Sequence, residues 1–298
     1  MFADTKVYLN LIGGMNFMDI LTIGGLVFAF TMFIFSFLLE AAHGDVSHID
    51  FTAITSLLQI TAFLIVVGGT IGATLVSFPL KEIKKMGKAA KLALFNKPID
   101  QLAIIDRLSE LGDKARRSGI LSLEEEIPKQ DNALLKKGLE LIMSGLDKDL
   151  VEETLSRQAE ITESELHSCA AGWEAAGGYS PTMGIIGTVM GLISLLKGLA
   201  TATMEVLGNA IAVAFVATLY GVCFANVIYL PIANKVKVIA KQEAATAELV
   251  IEGILSIQAG ENPKVMKDKL SYDLIAELNG IDPSAREAAK KAQKANAE

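Results

Sequence analysis

The chain has 298 residues, 51% of them hydrophobic, and 27 Lys and Arg against 34 Asp and Glu give it a net charge of −7. Its mean hydropathy of +0.42 lies above that of a soluble domain and points to a membrane protein. The acidic balance argues against nucleic acid as a partner, because phosphates reward clustered Lys and Arg. Cys169 and Cys223 sit far apart in segments of different character. Neither has metal-ligand spacing around it, so both are expected to be small apolar packing residues.

A bilayer core takes about 20 mostly apolar residues per helix. The first such run is "FMDILTIGGLVFAFTMFIFSFLL", residues 17–39. The residues ahead of it form no basic n-region and no small-residue cleavage site follows, so it is expected to remain in the mature protein. Its Phe17, Phe28, Phe30, Phe33, Phe35 and Phe37 are spread around the helix and suit lipid. The second run, residues 57–78, stops at Pro79 and Lys81.

Residues 81–172 are charged and helically periodic in pieces. "IDQLAIIDRLSELGDKARRSG" (99–119) repeats apolar residues at i, i+3 and i+4 and closes on Gly119. "DNALLKKGLELIMSG" (131–145) does the same, with Asp131 as its expected cap. Residues 147–173 read as one helix running unbroken towards the third crossing, 181–196, whose Lys197 can snorkel; the fourth, 206–232, is long enough to span with tilt. The tail 284–298 is rich in Ala and Lys with no apolar stripe and is expected to fray or be disordered.

The fold expected is therefore all-α: a polytopic membrane protein with four transmembrane helices and a helical cytoplasmic domain. Its parts are 1–80 with the first two crossings, 81–172 as the cytoplasmic domain, 173–235 with the last two crossings, and 236–298 as a C-terminal helix and tail. Lys81, Lys84, Lys85, Lys88 and Lys91 follow the second crossing, and Lys235, Lys237 and Lys241 follow the fourth. The 40–56 loop has Glu40, Asp45 and Asp50 with His43 and His48 and no Lys or Arg. The positive-inside rule then puts both termini in the cytoplasm.

The third and fourth crossings differ from the first. Pro181, Gly184, Thr188 and Gly191 fall on one helix face, and Ala210, Ala214, Ala217, Thr218, Gly221 and Ala225 form a similar stripe. Lipid gives apolar helices little reason to associate, so small residues mark close backbone approach. Taken singly, each threonine needs no partner beyond its own helix's i−4 carbonyl, and Pro181 could simply begin a helix. Together they place two hydroxyls on the small faces of helices joined by a short loop. A dehydrated cation also wants a carboxylate, and the middles of all four crossings contain no Asp or Glu. Any permeating ion thus implies an acid from a second chain. Walker, zinc-ligand and nucleophile-elbow patterns are missing, which argues against an enzyme, and His43, His48 and His167 read as solvated or packing residues.

"TAFLIVVGGTIGATLVSFP" (61–79), "YSPTMGIIGTVMGLI" (179–193), "AVAFVATLYGVCFANVIYLPIANK" (212–235) and "ARRSGILSLE" (115–124) resemble the MotA/PomA flagellar stator subunits. The resemblance covers 17–275, with an outer loop, 43–54, longer than is usual there. It implies a bacterial inner-membrane protein, five copies of which surround the membrane helices of two MotB/PomB-type partners that supply the ion-binding aspartate. It implies that Thr188 and Thr218 line the ion path, with Gly184, Gly191, Ala214 and Gly221 as pore-facing small residues and Pro181 and Pro231 as coupling prolines. Arg116 and Glu124 align with residues that meet the rotor protein FliG, with Lys114 and Arg117 as auxiliaries. Threonine at 188 resembles sodium-driven members, where proton-driven ones have alanine, so Na+ is the expected transported ion and H+ the alternative; no cofactor is implied. The competing readings are an ExbB/TolQ-type energiser and a non-conducting membrane scaffold. Three crossings and an acid in the last helix would mark the former.

Overall fold

A computed structural model describes residues 17–42, 51–95, 99–199 and 203–278. All the secondary structure among the described residues is helical. Helix α1 is Phe17–Ala41, followed by a 3-10 segment Phe51–Leu57. Helix α2, Ile60–Ser77, contains a π-helical turn at Leu64–Gly68. Then come α3 (Leu80–Phe95), α4 (Gln101–Ser118), a 3-10 segment Ile120–Lys129 and α5 (Ala133–Met143). The long helices α6 (Lys148–Gly198) and α7 (Met204–Gln258) follow, and α8 is Pro263–Leu278. Among the described residues, four helices are long and apolar enough to cross a membrane: Ile23–Ala41, Ile60–Ser77, α6 and α7.

The expected helix boundaries hold at Gly119, whose φ of +83° closes α4. Glycine takes this left-handed conformation at no steric cost. One cap is corrected. Asn132, not Asp131, accepts the Leu135 N–H at the start of α5, because the chain turns one residue later than composition suggested. Pro181 is corrected too: it lies in the interior of the 51-residue α6 and does not begin a helix. The acidic and histidine residues 43–50 and the tail 284–298 lie outside the described residues.

Two compact units result, one within residues 1–98 and 164–240, the other within 99–163 and 241–298. The sequence boundaries at 80, 172 and 235 follow hydropathy, whereas the units follow packing. In the first unit α3 joins the membrane helices, burying Ala89 and Ala93 with Cys169, Ala170, Ile232 and Val236. The Trp173 indole N–H donates to the Met86 carbonyl at 3.1 Å, and Lys85 pairs with Glu165 at 2.9 Å. Cys169 is thus a packing residue, as its setting in the sequence suggested. Near the other end, Ala62, Val66, Val216 and Ala217 are buried together, with Tyr220 and Phe224 packed on them.

In the second unit the apolar stripe of α4 (Ile105, Leu108, Leu111, Ala115) faces Leu139 of α5, Val151 and Leu155 of α6, Val250 and Ile254 of α7, and Met266 and Leu270 of α8. Residues 241–258 therefore complete this core. Each fully buried leucine or isoleucine contributes roughly 1.5–3 kcal/mol over an exposed one.

Candidate functional site

The membrane parts of α6 and α7 approach each other along the small-residue faces. A methyl group built on Gly221 would stand 2.7 Å from the Ser180 carbonyl and 3.2 Å from the Pro181 Cα. One on Gly184 would meet the Ala217 carbonyl at 2.9 Å, and one on Gly191 the Ala214 Cβ at 3.0 Å. The obstacles at Gly221 and Gly184 are backbone atoms, which a rotamer change cannot move. Glycine here lets two backbones touch, the means by which apolar helices associate in lipid. The small residues predicted to face the pore are therefore engaged in packing α6 on α7 within one chain.

A hydrogen bond reinforces the crossing. The buried Ser180 hydroxyl donates to the Gly221 carbonyl of α7 at 2.9 Å. Sequence reading missed Ser180, although its place beside Pro181 was a signal: a proline at 181 withholds the N–H that the Gly177 carbonyl would accept. The continuous helix carries that loss where Ser180 and Gly221 fasten it to its neighbour.

Thr188 and Thr218 are brought together, as the sequence expected. The Thr188 hydroxyl lies 2.8 Å from the Ala214 carbonyl of α7 and 3.1 Å from the Gly184 carbonyl of its own helix, and it is hydrogen-bonded to the Thr218 hydroxyl. A hydroxyl has one proton and two lone pairs. When Thr188 donates to the nearer carbonyl, Ala214, the bond between the threonines must be donated by Thr218. Ala214 is four residues before Thr218, so Thr188 occupies the carbonyl that Thr218 would otherwise use. Both lone pairs of the Thr218 oxygen are then without a donor among the described residues. Two hydroxyl oxygens and two carbonyls thus cluster inside a membrane span.

Pro231 stands apart from this cluster. It follows a π-helical turn, Ala225–Tyr229, which the sequence did not reveal. Proline clashes with the carbonyl four residues back, that of Val227; Val227 lies inside the turn, where wider winding relieves the contact. The exposed Pro231 borders a cleft of about 430 Å³ with Gly25, Ala29, Asn226 and Lys235. Nearer the cluster, the Tyr220 hydroxyl donates to the Leu57 carbonyl and packs edge-on to Phe63, tying α7 to the start of α2.

In the other unit, Arg116 and Glu124 are exposed and form no ion pair among the described residues. Gly119 turns the chain between them. Arg117 pairs with Asp113 at 2.8 Å, and Lys114 donates to Glu126 at 2.7 Å. Glu126, which sequence reading passed over, is buried and also receives Arg107 at 2.7 Å and Lys129 at 3.0 Å. The hydrogen bonds from Lys114, Lys129 and Arg107 hold its carboxyl down at about 2.

A multi-pass, all-helical membrane protein with a hydroxyl-lined helix pair and a separate helical unit is the class that these features define. Residues 126–249 match the MotA/TolQ/ExbB proton channel family. The chain is 33% identical over 255 residues to chemotaxis protein PomA of Vibrio alginolyticus, covering 85% of this chain and 94% of that protein. It is 40% identical over 211 residues to motility protein A of Bacillus subtilis, covering 70% and 77%. Among solved structures it is similar to C. jejuni MotAB, with a TM-score of 0.77 and 28% identity over 86% of this chain and 96% of that one. The flagellar MotAB stator complex of Bacillus subtilis gives 0.70 and 34% over 85% and 97%. The chain belongs to the MotA/TolQ/ExbB family as a flagellar stator subunit of the MotA/PomA type. Its relatives are motor and ion-channel subunits rather than enzymes.

Proposed function

We propose that this subunit forms the oxygen-lined wall of a sodium path in the bacterial inner membrane and converts sodium passage into torque on the rotor. The observation that carries the reading is the Thr188–Thr218 pair with the Ala214 and Gly184 carbonyls. A proton needs little more than a carboxylate to hop onto. Sodium must exchange water for protein oxygens, so extra hydroxyls and carbonyls favour it. Each ion passing brings about 2.3 kcal/mol per 100 mV of membrane potential.

The missing acid is assigned to a MotB/PomB-type partner, two copies of which stand within five copies of this chain, as the resemblance implies. The solved MotAB complexes among its neighbours support such a partner. Both termini are assigned to the cytoplasm by the lysines after the second and fourth crossings. Pro181 and Pro231 are assigned to coupling ion passage to helix movement. Arg116 and Glu124, unpaired and exposed, are assigned to contact with FliG, aided by Lys114 and Arg117. Exposed ion pairs are worth about 0–1 kcal/mol each, which suits contacts that form and release repeatedly.

The test is stator-dependent torque with sodium replaced by potassium. Torque should fall steeply; undiminished torque would assign the path to protons.

A further inference from the structure

The 3-10 segment Ile120–Lys129 carries Glu124 and adjoins Arg116, the two residues assigned to the rotor. A segment of this kind has poor internal hydrogen-bond geometry, so something else must fix it. Two anchors do. Leu123 is fully buried in the core of its unit. Three residues on, the Glu126 carboxylate binds two cations of α4 and one of its own segment: Arg107 on one oxygen, Lys114 and Lys129 on the other. Gln130 extends the clamp, donating to the Glu126 carbonyl at 2.7 Å and receiving Arg107 Nε at 3.3 Å. Ser122 closes the turn on the Gly119 carbonyl at 2.6 Å.

We propose that Glu126 is a positioning residue: by drawing Arg107, Lys114 and Lys129 inward it holds the 119–129 turn so that Arg116 and Glu124, on either side of Gly119, each stay outward and unpaired for the rotor. This rests on the rotor-contact reading above. The clamp sorts the charges of the region. Lys114 and Lys129 are consumed by Glu126 and Arg117 by Asp113, whereas Arg116 has no carboxylate partner among the described residues. Without Glu126, Lys114 is left to pair with Glu110, four residues back on α4, and Glu124 would lose its fixed place. Lys114 accordingly aids the contact from within the clamp, by fixing the turn, and not by presenting its own charge to the rotor.

The experiment uses the full-length stator complex. Hydrogen exchange over residues 119–129 is compared for the unmodified protein, Glu126→Gln and Glu126→Asp in nanodiscs, and torque is measured in cells with matched membrane levels of stator. Glu126→Gln should speed exchange there about tenfold, as the loss of hydrogen bonds to a charged group implies, and should lower torque, with Glu126→Asp recovering part of both. In an Arg116→Ala, Glu124→Ala background it should lower torque no further. Unchanged exchange overturns the clamp. Faster exchange with full torque, or an equal further loss in the double background, overturns the positioning role while leaving Arg116 and Glu124 in place. Normal torque in Arg116→Glu and Glu124→Lys overturns the rotor reading itself, and the positioning role with it.

Discussion

Ser180 and Gly221 hold α6 against α7 by two complementary means. The serine hydroxyl donates to the glycine carbonyl at 2.9 Å, and the glycine has no side chain to strike the serine carbonyl, which a methyl would approach to 2.7 Å. Contact this close depends on both residues at once.

Gly221→Ala should therefore force the helices apart at the Pro181 crossing. Overpacking of this kind costs roughly 1–3 kcal/mol. Thermal unfolding of the purified complex should drop by several degrees, and motility with it. Gly208→Ala is the control: nothing lies within 4 Å of a methyl there, so its melting point should not fall. Equal behaviour of the two variants would deny the close approach.

Thr188→Ala removes a hydroxyl that bonds both the Ala214 carbonyl and the Thr218 hydroxyl. Thr218 can then turn back to the Ala214 carbonyl and donate there. The sodium concentration for half-maximal torque should rise about tenfold or more, on the scale of one lost oxygen partner. Thr188→Ser should keep most of the sodium response, and Thr188→Val, matching the shape without the oxygen, should behave like alanine. A valine variant with normal sodium dependence would leave Thr188 as packing alone.

Glu126 gives a pH prediction of definite sign. Its carboxyl titrates at about 2 in the folded protein, against an ordinary 4.5, because Lys114, Lys129 and Arg107 bond its charged form. The group therefore adds stability that is complete above pH 4.5 and fades as pH falls towards 2. Glu110 also takes Arg107, at 3.0 Å, and so shares one cation of the clamp. After correction for intrinsic exchange rates, protection of residues 119–129 should be flat from pH 8 to 5 and weaken below that. In Glu126→Gln this acid-dependent step should disappear.

The parts of the fold legible in the sequence are those written by periodicity. Four apolar runs announced four spans, and the 3.6-residue spacing of Gly184, Thr188 and Gly191 put them on the face that meets α7. Gly119 marked the end of α4 because only its backbone freedom suits the turn. What stayed hidden depends on a partner elsewhere in the chain. Ser180 is an ordinary residue until Gly221 is seen beside it. Glu126 is the third of three consecutive glutamates, and nothing local distinguishes the buried one from the exposed Glu124 and Glu125. The π turn before Pro231 answers a clash that periodicity does not encode, since seen as a pattern the apolar run simply continues. Asp131 and Asn132 are both good caps, and one residue of phase in α5 decided between them.

The most direct test is sodium uptake into vesicles reconstituted with this chain, with and without a one-crossing partner bearing a membrane aspartate. Uptake that needs both chains, and that collapses in Thr188→Ala, is the predicted result. Selective sodium uptake by this chain alone would contradict the account, because the acid it assigns to the partner would then be unnecessary.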